Sequence, residues 1–235
     1  MGRKIIGALV AVCVVSALSA VGGFTVARER WASAEAAHLS SRSKAILSQA
    51  KQRDWKVVVL GDSITELAML NDVCGEQALN AGISGAQAAQ LIALAHDLSD
   101  VVKPEEFVIA VGTNDSRYGD PTKAIDFERN YRELIVAARK SGARVTLLDI
   151  PPAGKFDKAS KFNPDLIAEH NRQIRSFGLP VGSAWQGMAD SEGRMPNAMT
   201  DDGVHPNAAG YKPWLGAMQS AACRPRDHVT TPPTA

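Results

Sequence analysis

The stretch VVVLGDSITEL, Val57–Leu67, decides how the rest of the chain is read. Val57 to Leu60 form a short apolar run suited to a buried strand. Gly61-Asp62-Ser63 interrupts it, and an apolar pattern of helical spacing resumes at Ile64. Two readings of the interruption stand side by side. A Ser or Asp just before a helical run is a common N-cap, which any strand-to-helix junction in an α/β protein needs. Alternatively, Ser63 is a hydroxyl nucleophile presented at the carboxyl end of a core strand, where open α/β sheets place their sites. The stretch alone does not choose, so the choice falls to the remainder of the chain.

At 235 residues the chain has room for one substantial core. Its 26 Lys and Arg nearly balance its 25 Asp and Glu, and no basic patch carries interleaved aromatics. Nucleic acid is therefore not an expected partner. Internal repeats are not visible. The N-terminus departs from this ordinary composition: Ile5 to Ala27 contains no charged residue and follows Arg3 and Lys4. As a helix this run would span the roughly 30 Å hydrocarbon core of a bilayer. It exceeds the usual apolar core of a signal peptide, so a signal anchor with the following domain outside the cytoplasm is expected. A cleaved signal, with small-residue sites near Ala20 and Ala27, and a buried helix are the alternatives. The basic residues Arg3 and Lys4 argue for an N-inside orientation, while Arg28 and Arg30 on the far side weaken it.

Of three cysteines, Cys13 lies in the apolar run. Cys74 and Cys223 remain, either as a disulfide in an oxidising compartment or as two unrelated thiols. No Cys or His spacing suits zinc, and neither a metal nor another cofactor is expected.

Residues 28–54, rich in Ala, Ser and charge, read as a linker or helical stalk, and the folded domain is expected from Trp55 to Cys223. Strands are expected at Lys56–Leu60, Gln77–Asn80, Phe107–Val111, Val145–Ile150 and Leu179–Val181. Between and after them, helices are expected at Ile64–Leu70, Ala86–Leu98, Phe127–Lys140, Pro164–Phe177 and Asn207–Ala222, the last disturbed by Pro213. The tail 224–235 has too little apolar surface to fold. Strands alternating with helices define a three-layer α/β/α sandwich around a mostly parallel, flavodoxin-like sheet.

Four stretches carry possible chemistry, and their order matches the sheet's carboxyl edge. Ser63 follows the first strand, NAGISG (Asn80–Gly85) the second, and GTND (Gly112–Asp115) the third, while DGVHP (Asp202–Pro206) precedes the last helix. Each alone is an ordinary turn or cap. Together they place a hydroxyl, an amide and an acid–imidazole pair at strand ends.

From Trp55 to Ala222 the chain resembles the SGNH, or GDSL-type, hydrolase superfamily. The resemblance rests on Ser63 in GDS, Gly85 at the end of an N-x-x-x-x-G spacing, Asn114 in GTND, and Asp202 three residues before His205. It implies a Ser63–His205–Asp202 triad and an oxyanion hole made of the Ser63 N–H, the Gly85 N–H and the Asn114 side chain. The chemistry agrees. A serine hydroxyl needs a base to take its proton, and an imidazole needs a carboxylate to hold its tautomer. Thr65 stands where a G-x-S-x-G elbow would have its second glycine, so this is a different strand-to-helix turn. Of the five histidines, His38, His96, His170 and His228 lie in expected helix, stalk or tail and read as solvated or structural. Asp201 and Asp202 are adjacent acids that composition does not separate; the family spacing selects Asp202. Asp62 reads as a structural hydrogen-bond acceptor in the turn.

The loop Pro151–Asn163 follows the fourth strand and carries Lys155, Lys158 and Lys161 around Phe156 and Phe162. It is either an ordinary solvated loop or a rim that attracts an anionic substrate. The expected activity is hydrolysis of a carboxylic ester, an O-acetyl glycan or a lipid acyl ester, by an exported, membrane-tethered domain. An envelope glycan O-acetyltransferase and a non-catalytic binding module are the alternatives.

Overall fold

The computed structural model describes residues 33–119 and 123–224. The chain divides into two units, Met1–Ser41 and Arg42–Ala235. Helix α1 covers 33–50, of which 33–41 belong to the first unit. The apolar run Ile5–Ala27, expected to be a membrane anchor, lies outside the described residues, as does most of the tail. Among the described residues no helix is long and apolar enough to cross a membrane.

Five strands, β1 (Val57–Gly61), β2 (Ala78–Gly82), β3 (Glu106–Ala110), β4 (Arg144–Leu148) and β5 (Val181–Gly182), form one parallel sheet in the order β2-β1-β3-β4-β5. β1 and β3 are buried along their whole length, which explains why both read as continuous apolar runs rather than alternating ones. Between and after the strands run α2 (Ser63–Glu66), α3 (Ala88–Val101), α4 (Lys123–Arg139), α5 (Pro164–Ser176), α6 (Trp185–Met188) and α7 (Ala208–Ala222). Val57 and Val59 with Val108 and Ala110 share a buried cluster with Trp214 and Met218 of α7. Val58, Leu60, Phe107 and Ile109, equally buried, point to the opposite face by strand alternation. The result is the expected three-layer sandwich.

Three expectations need correction. The folded unit begins at Arg42 and not near Trp55: Ile46 and Ala50, one helical turn apart on α1, are buried. Within that unit the Arg42 guanidinium donates to the carbonyls of Asn80 and Gly82 at the end of β2. Helix α2 stops at Glu66 instead of reaching Leu70. The Asn80 side chain donates to the carbonyls of Thr65 (2.8 Å) and Ala68 (3.2 Å), satisfying the helix end and turning the chain away. Finally, α7 runs through Pro213. An interior proline costs about 3 kcal/mol or more, but the fully buried Trp214 and Met218 beside it anchor the helix to the core.

Cys74 and Cys223 are joined by a disulfide, with Cα atoms 5.1 Å apart. The bridge ties the segment before β2 to the end of α7, at the amino end of the sheet and away from the edge where the motifs gather.

Candidate active site

The parallel ladders end flush. Gly61 pairs with both Gly82 and Ala110, so the carboxyl ends of β2, β1 and β3 lie side by side. From β1 the chain connects to β2 on one side, and β3 returns on the other. That reversal is the topological switch point where such sheets hold their ligands. Gly61 and Gly82 are required by space: a Cβ on Gly61 would lie 2.0 Å from Thr65 Oγ1, and one on Gly82 would lie 2.2 Å from the Glu66 amide nitrogen. The two glycines let α2 sit directly on the sheet edge.

In the turn above β1, the N-cap of α2 is Asp62, whose Oδ1 accepts from the Ile64 amide at 3.0 Å. Ser63 is the first residue of the helix, so the cap and the hydroxyl belong to neighbouring residues. The Ser63 hydroxyl lies 2.9 Å from His205 Nε2, although 142 positions separate the two residues. His205 Nδ1 lies 2.7 Å from Asp202 Oδ2. The other Asp202 oxygen accepts from the amides of Val204 (2.9 Å) and His205 (2.8 Å), holding the carboxylate inside its own turn. Thr200 Oγ1 closes that turn by donating to the His205 carbonyl and accepting from the Gly203 amide. Gly203 has φ +82°, and a Cβ there would come within 2.9 Å of Ala159. The turn therefore needs glycine both for its backbone and for the loop packed on it. Asp201 is exposed and faces Asn207, the cap of α7.

The electrostatics of Asp202 follow from these contacts. Burial works against its charge, but the His205 amide, the Lys158 ammonium, the imidazole and the Val204 amide outweigh it and hold the carboxyl well below the usual range. Asp62 goes the other way: burial pushes it up to about 6 against the bond from the Ile64 amide.

The second and third motifs meet in the same place. Asn114 begins a short 3-10 turn after β3, and its Nδ2 donates to the Ala86 carbonyl at 3.1 Å. An amide nitrogen carries two N–H groups, so the second is left for a ligand. The Arg117 guanidinium donates to Asn114 Oδ1 at 2.9 Å and so fixes which way the amide points. Gln87 Nε2 donates to the Asn114 carbonyl, and Asp115 accepts from the Ala88 amide at the start of α3. Gly85, with φ +82°, sits in this loop with open space where a Cβ would be. Its glycine thus serves a left-handed backbone as well as close approach. The α2 segment joins in through Glu66, whose carboxylate accepts from the Ser84 amide and faces Arg42 Nε at 3.6 Å.

All five residues singled out in the sequence therefore lie on one edge: Ser63, His205 and Asp202 in one hydrogen-bonded series, and Asn114 bonded to the Ala86 carbonyl next to Gly85. Reading by sequence missed Arg117 and Glu66, and it placed Lys158 on the rim of the site without its partner Asp202. Arg117 stands three residues after Asn114, a spacing that is suggestive only once the turn is known. The pairings of Glu66 and Lys158 leave no local signal, because their partners are distant in sequence. The loop lysines also change meaning: Lys155 pairs with Glu192 and Lys158 with Asp202, so two of the three are engaged with carboxylates.

His170 is structural, as expected, and supports the Asn114 turn. Fully buried, it stacks on Phe127 at 3.9 Å, and its Nδ1 lies 2.9 Å from Ser116 Oγ. That hydroxyl donates to the Gly112 carbonyl, so Nδ1 must carry the proton. Burial lowers the imidazole pKa to about 4. A group depressed in the folded state contributes stability above its unfolded value, and that stability is lost as pH falls toward the folded one. Asp62, raised to about 6, opposes this: its contribution is present below its unfolded value and is lost as pH rises through 6. We predict that urea denaturation of the parent and of His170→Gln will differ less at pH 5 than at pH 7, by about 2 kcal/mol. An unchanged difference would refute the assignment of His170 as a buried neutral imidazole.

These features agree with what the chain is similar to. It belongs to the GDSL-like lipase/acylhydrolase family, whose model matches residues 59–212, and it is an ester hydrolase. The arylesterase of Vibrio mimicus is 29% identical over 189 residues, which cover 72% of this chain and 88% of that protein. A GDSL-like lipase from Bacteroides thetaiotaomicron shares the fold with a TM-score of 0.67 and 22% identity, over 79% of this chain and 97% of the other. A lipase/acylhydrolase from Enterococcus faecalis matches with a TM-score of 0.60 and 22% identity, over 71% of this chain and 94% of the other.

Proposed function

We propose that the protein is a serine esterase working through an acyl-enzyme on Ser63. The observation that carries this reading is the unbroken series Ser63 Oγ, His205 Nε2, His205 Nδ1 and Asp202 Oδ2, with contacts of 2.9 and 2.7 Å. In this reading the Nδ1–H donates a hydrogen bond to Asp202, which leaves Nε2 as the base. The Ser63 proton passes to Nε2 as Oγ bonds to the ester carbonyl carbon. The resulting oxyanion is met by the Ser63 and Gly85 amides and by the second N–H of Asn114, the last aimed by Arg117. Collapse expels the alcohol, which takes the proton from Nε2. Water then enters by the same route in reverse: its oxygen bonds to the acyl carbon as His205 Nε2 takes its proton, the bond to Ser63 Oγ breaks as Nε2 returns the proton to that oxygen, and the acid leaves.

The apolar run Ile5–Ala27 supports a further reading, in which the domain works outside the cytoplasm on a membrane tether. The disulfide between Cys74 and Cys223 suits an oxidising compartment. The substrates this favours are O-acetyl groups on envelope glycans or lipid acyl esters.

The test is a panel of aryl esters of increasing acyl length, assayed with and without sugar acceptors on the purified protein. Release of free acid with a clear preference in acyl length is expected. Failure of the folded protein to turn over any ester would defeat the serine-esterase reading. Fractionation of the producing cells addresses location separately: full-length chain in the cytosol would exclude export.

A further inference from the structure

The loop between β4 and α5 brings a cation into the Ser63–His205–Asp202 series. Lys158 Nζ donates to Asp202 Oδ2 at 2.6 Å, the same oxygen that faces the imidazole, and lies 3.3 Å from His205 Nδ1. Lysine and a protonated Nδ1 are both donors, so the 3.3 Å contact is not a bond between them. The carboxylate oxygen is shared by two donors.

The lysine is half-exposed, and an isolated surface pair of that kind is worth little. This one is held by its loop. Ala159 and Phe162, which follow Lys158, are buried. Ala159 packs on Gly203, and the Gly154 amide donates to the Gly203 carbonyl at 2.7 Å. Arg117, which orients Asn114, forms a bridge with Phe162 and lies over its ring at 5.6 Å. The loop is thus fastened both to the acid–imidazole turn and to the Asn114 turn, with Lys158 between its anchors.

We propose that Lys158 is a positioning residue that sets the working pH of His205 by sharing Asp202. This inference rests on His205 being the general base. The charged groups facing the imidazole are Asp202 on its own turn, Lys158 from the β4–α5 loop, and Asp62 from the β1–α2 turn. A cation beside the imidazole, drawing on the same carboxylate, disfavours the imidazolium. With the lysine in place the imidazole has only a share of Asp202, and turnover extends to lower pH than it would with Asp202 to itself. The family motif supplies the acid and the base; the loop lysine tunes them.

The experiment is the pH profile of kcat/KM for the parent, Lys158→Met and Lys158→Arg, on one aryl ester at low ionic strength. In Lys158→Met the acidic limb should move to higher pH by roughly half to one unit, with the plateau kcat within a few-fold of the parent. Lys158→Arg keeps the charge and should hold the limb near its parental position. Added salt should carry the parent's limb toward that of the Met variant, since the lysine is half-exposed. An acidic limb that stays in place, or moves down, in Lys158→Met overturns the proposal. An inactive parent would instead defeat the serine-esterase reading, so the two failures are distinct.

Discussion

Ser63→Ala should eliminate ester turnover, with kcat down by roughly 10⁴–10⁶-fold, while the domain keeps its fold. The size follows from the absence of any replacement nucleophile: without Oγ there is no acyl-enzyme, and only the oxyanion donors and substrate binding remain to accelerate attack by water. The fold should survive because the Ser63 hydroxyl caps nothing. The start of α2 is held by Asp62 Oδ1, and the space above the sheet edge is set by Gly61 and Gly82. Removing one hydroxyl from a half-buried residue leaves those contacts in place. A serine-directed organophosphorus reagent should label the parent once, at Ser63, and leave the variant unlabelled. Stoichiometric labelling of Ser63→Ala would mean that another residue is the nucleophile.

Asp202→Asn should lower kcat by at least ~10²-fold, whereas Asp201→Asn should stay within a few-fold of the parent. The two acids are adjacent, and the Gly203 turn separates their fates. Asp202 lies 2.7 Å from His205 Nδ1 and also receives the Val204 and His205 amides, so it orients the ring and balances the charge the ring acquires. Asp201 is exposed and faces the amide of Asn207. An asparagine at 202 still accepts the backbone amides, yet it neutralises the carboxylate facing Nδ1 and can present an N–H to the ring, favouring the wrong tautomer. Both variants should be measured at one pH, with folding checked by circular dichroism. A larger loss in Asp201→Asn would reverse the assignment. The comparison also bears on Lys158: in Asp202→Asn the lysine loses its carboxylate partner and remains as an uncompensated cation beside the imidazole, which adds to the loss.

Much of this was legible along the chain, because the information was local. A buried parallel strand writes itself as a short apolar run, a surface helix as an apolar stripe, and a turn as Gly, Pro, Asn or Asp. The five strands and the main helices followed from those signals, and the gathering of Ser63, Gly85 and Asn114 with Asp202 and His205 at one edge followed from the positions of the first three after strands and of the last two before the final helix. The misplaced boundaries were those set by distant partners. Asn80 ends α2 through the carbonyls of Thr65 and Ala68, and the core around Trp214 carries α7 past Pro213. Ile46 and Ala50 enter the domain from what reads as a stalk, because an isolated pair of apolar residues gives no sign of the surface that will cover it.

The sequence by itself determined the layered architecture and the ester-hydrolase class, and it singled out Ser63, Gly85, Asn114, Asp202 and His205 as the candidates for its chemistry. The tertiary structure decided how those residues are held. Strand order and flush register put β1 beside β3, so that segments far apart in sequence end at one point. Only then did Asp62 emerge as the cap of α2, Arg117 as the residue that aims Asn114, Glu66 as the link to the Ser84 amide, and Lys158 as the second claimant on Asp202. The physical reason is one of range. Backbone preference and hydrophobic periodicity act over a few residues and are written in order along the chain. A hydrogen bond or ion pair depends on angstrom-scale separations that exist only after the sheet has closed its register and the loops have packed upon it.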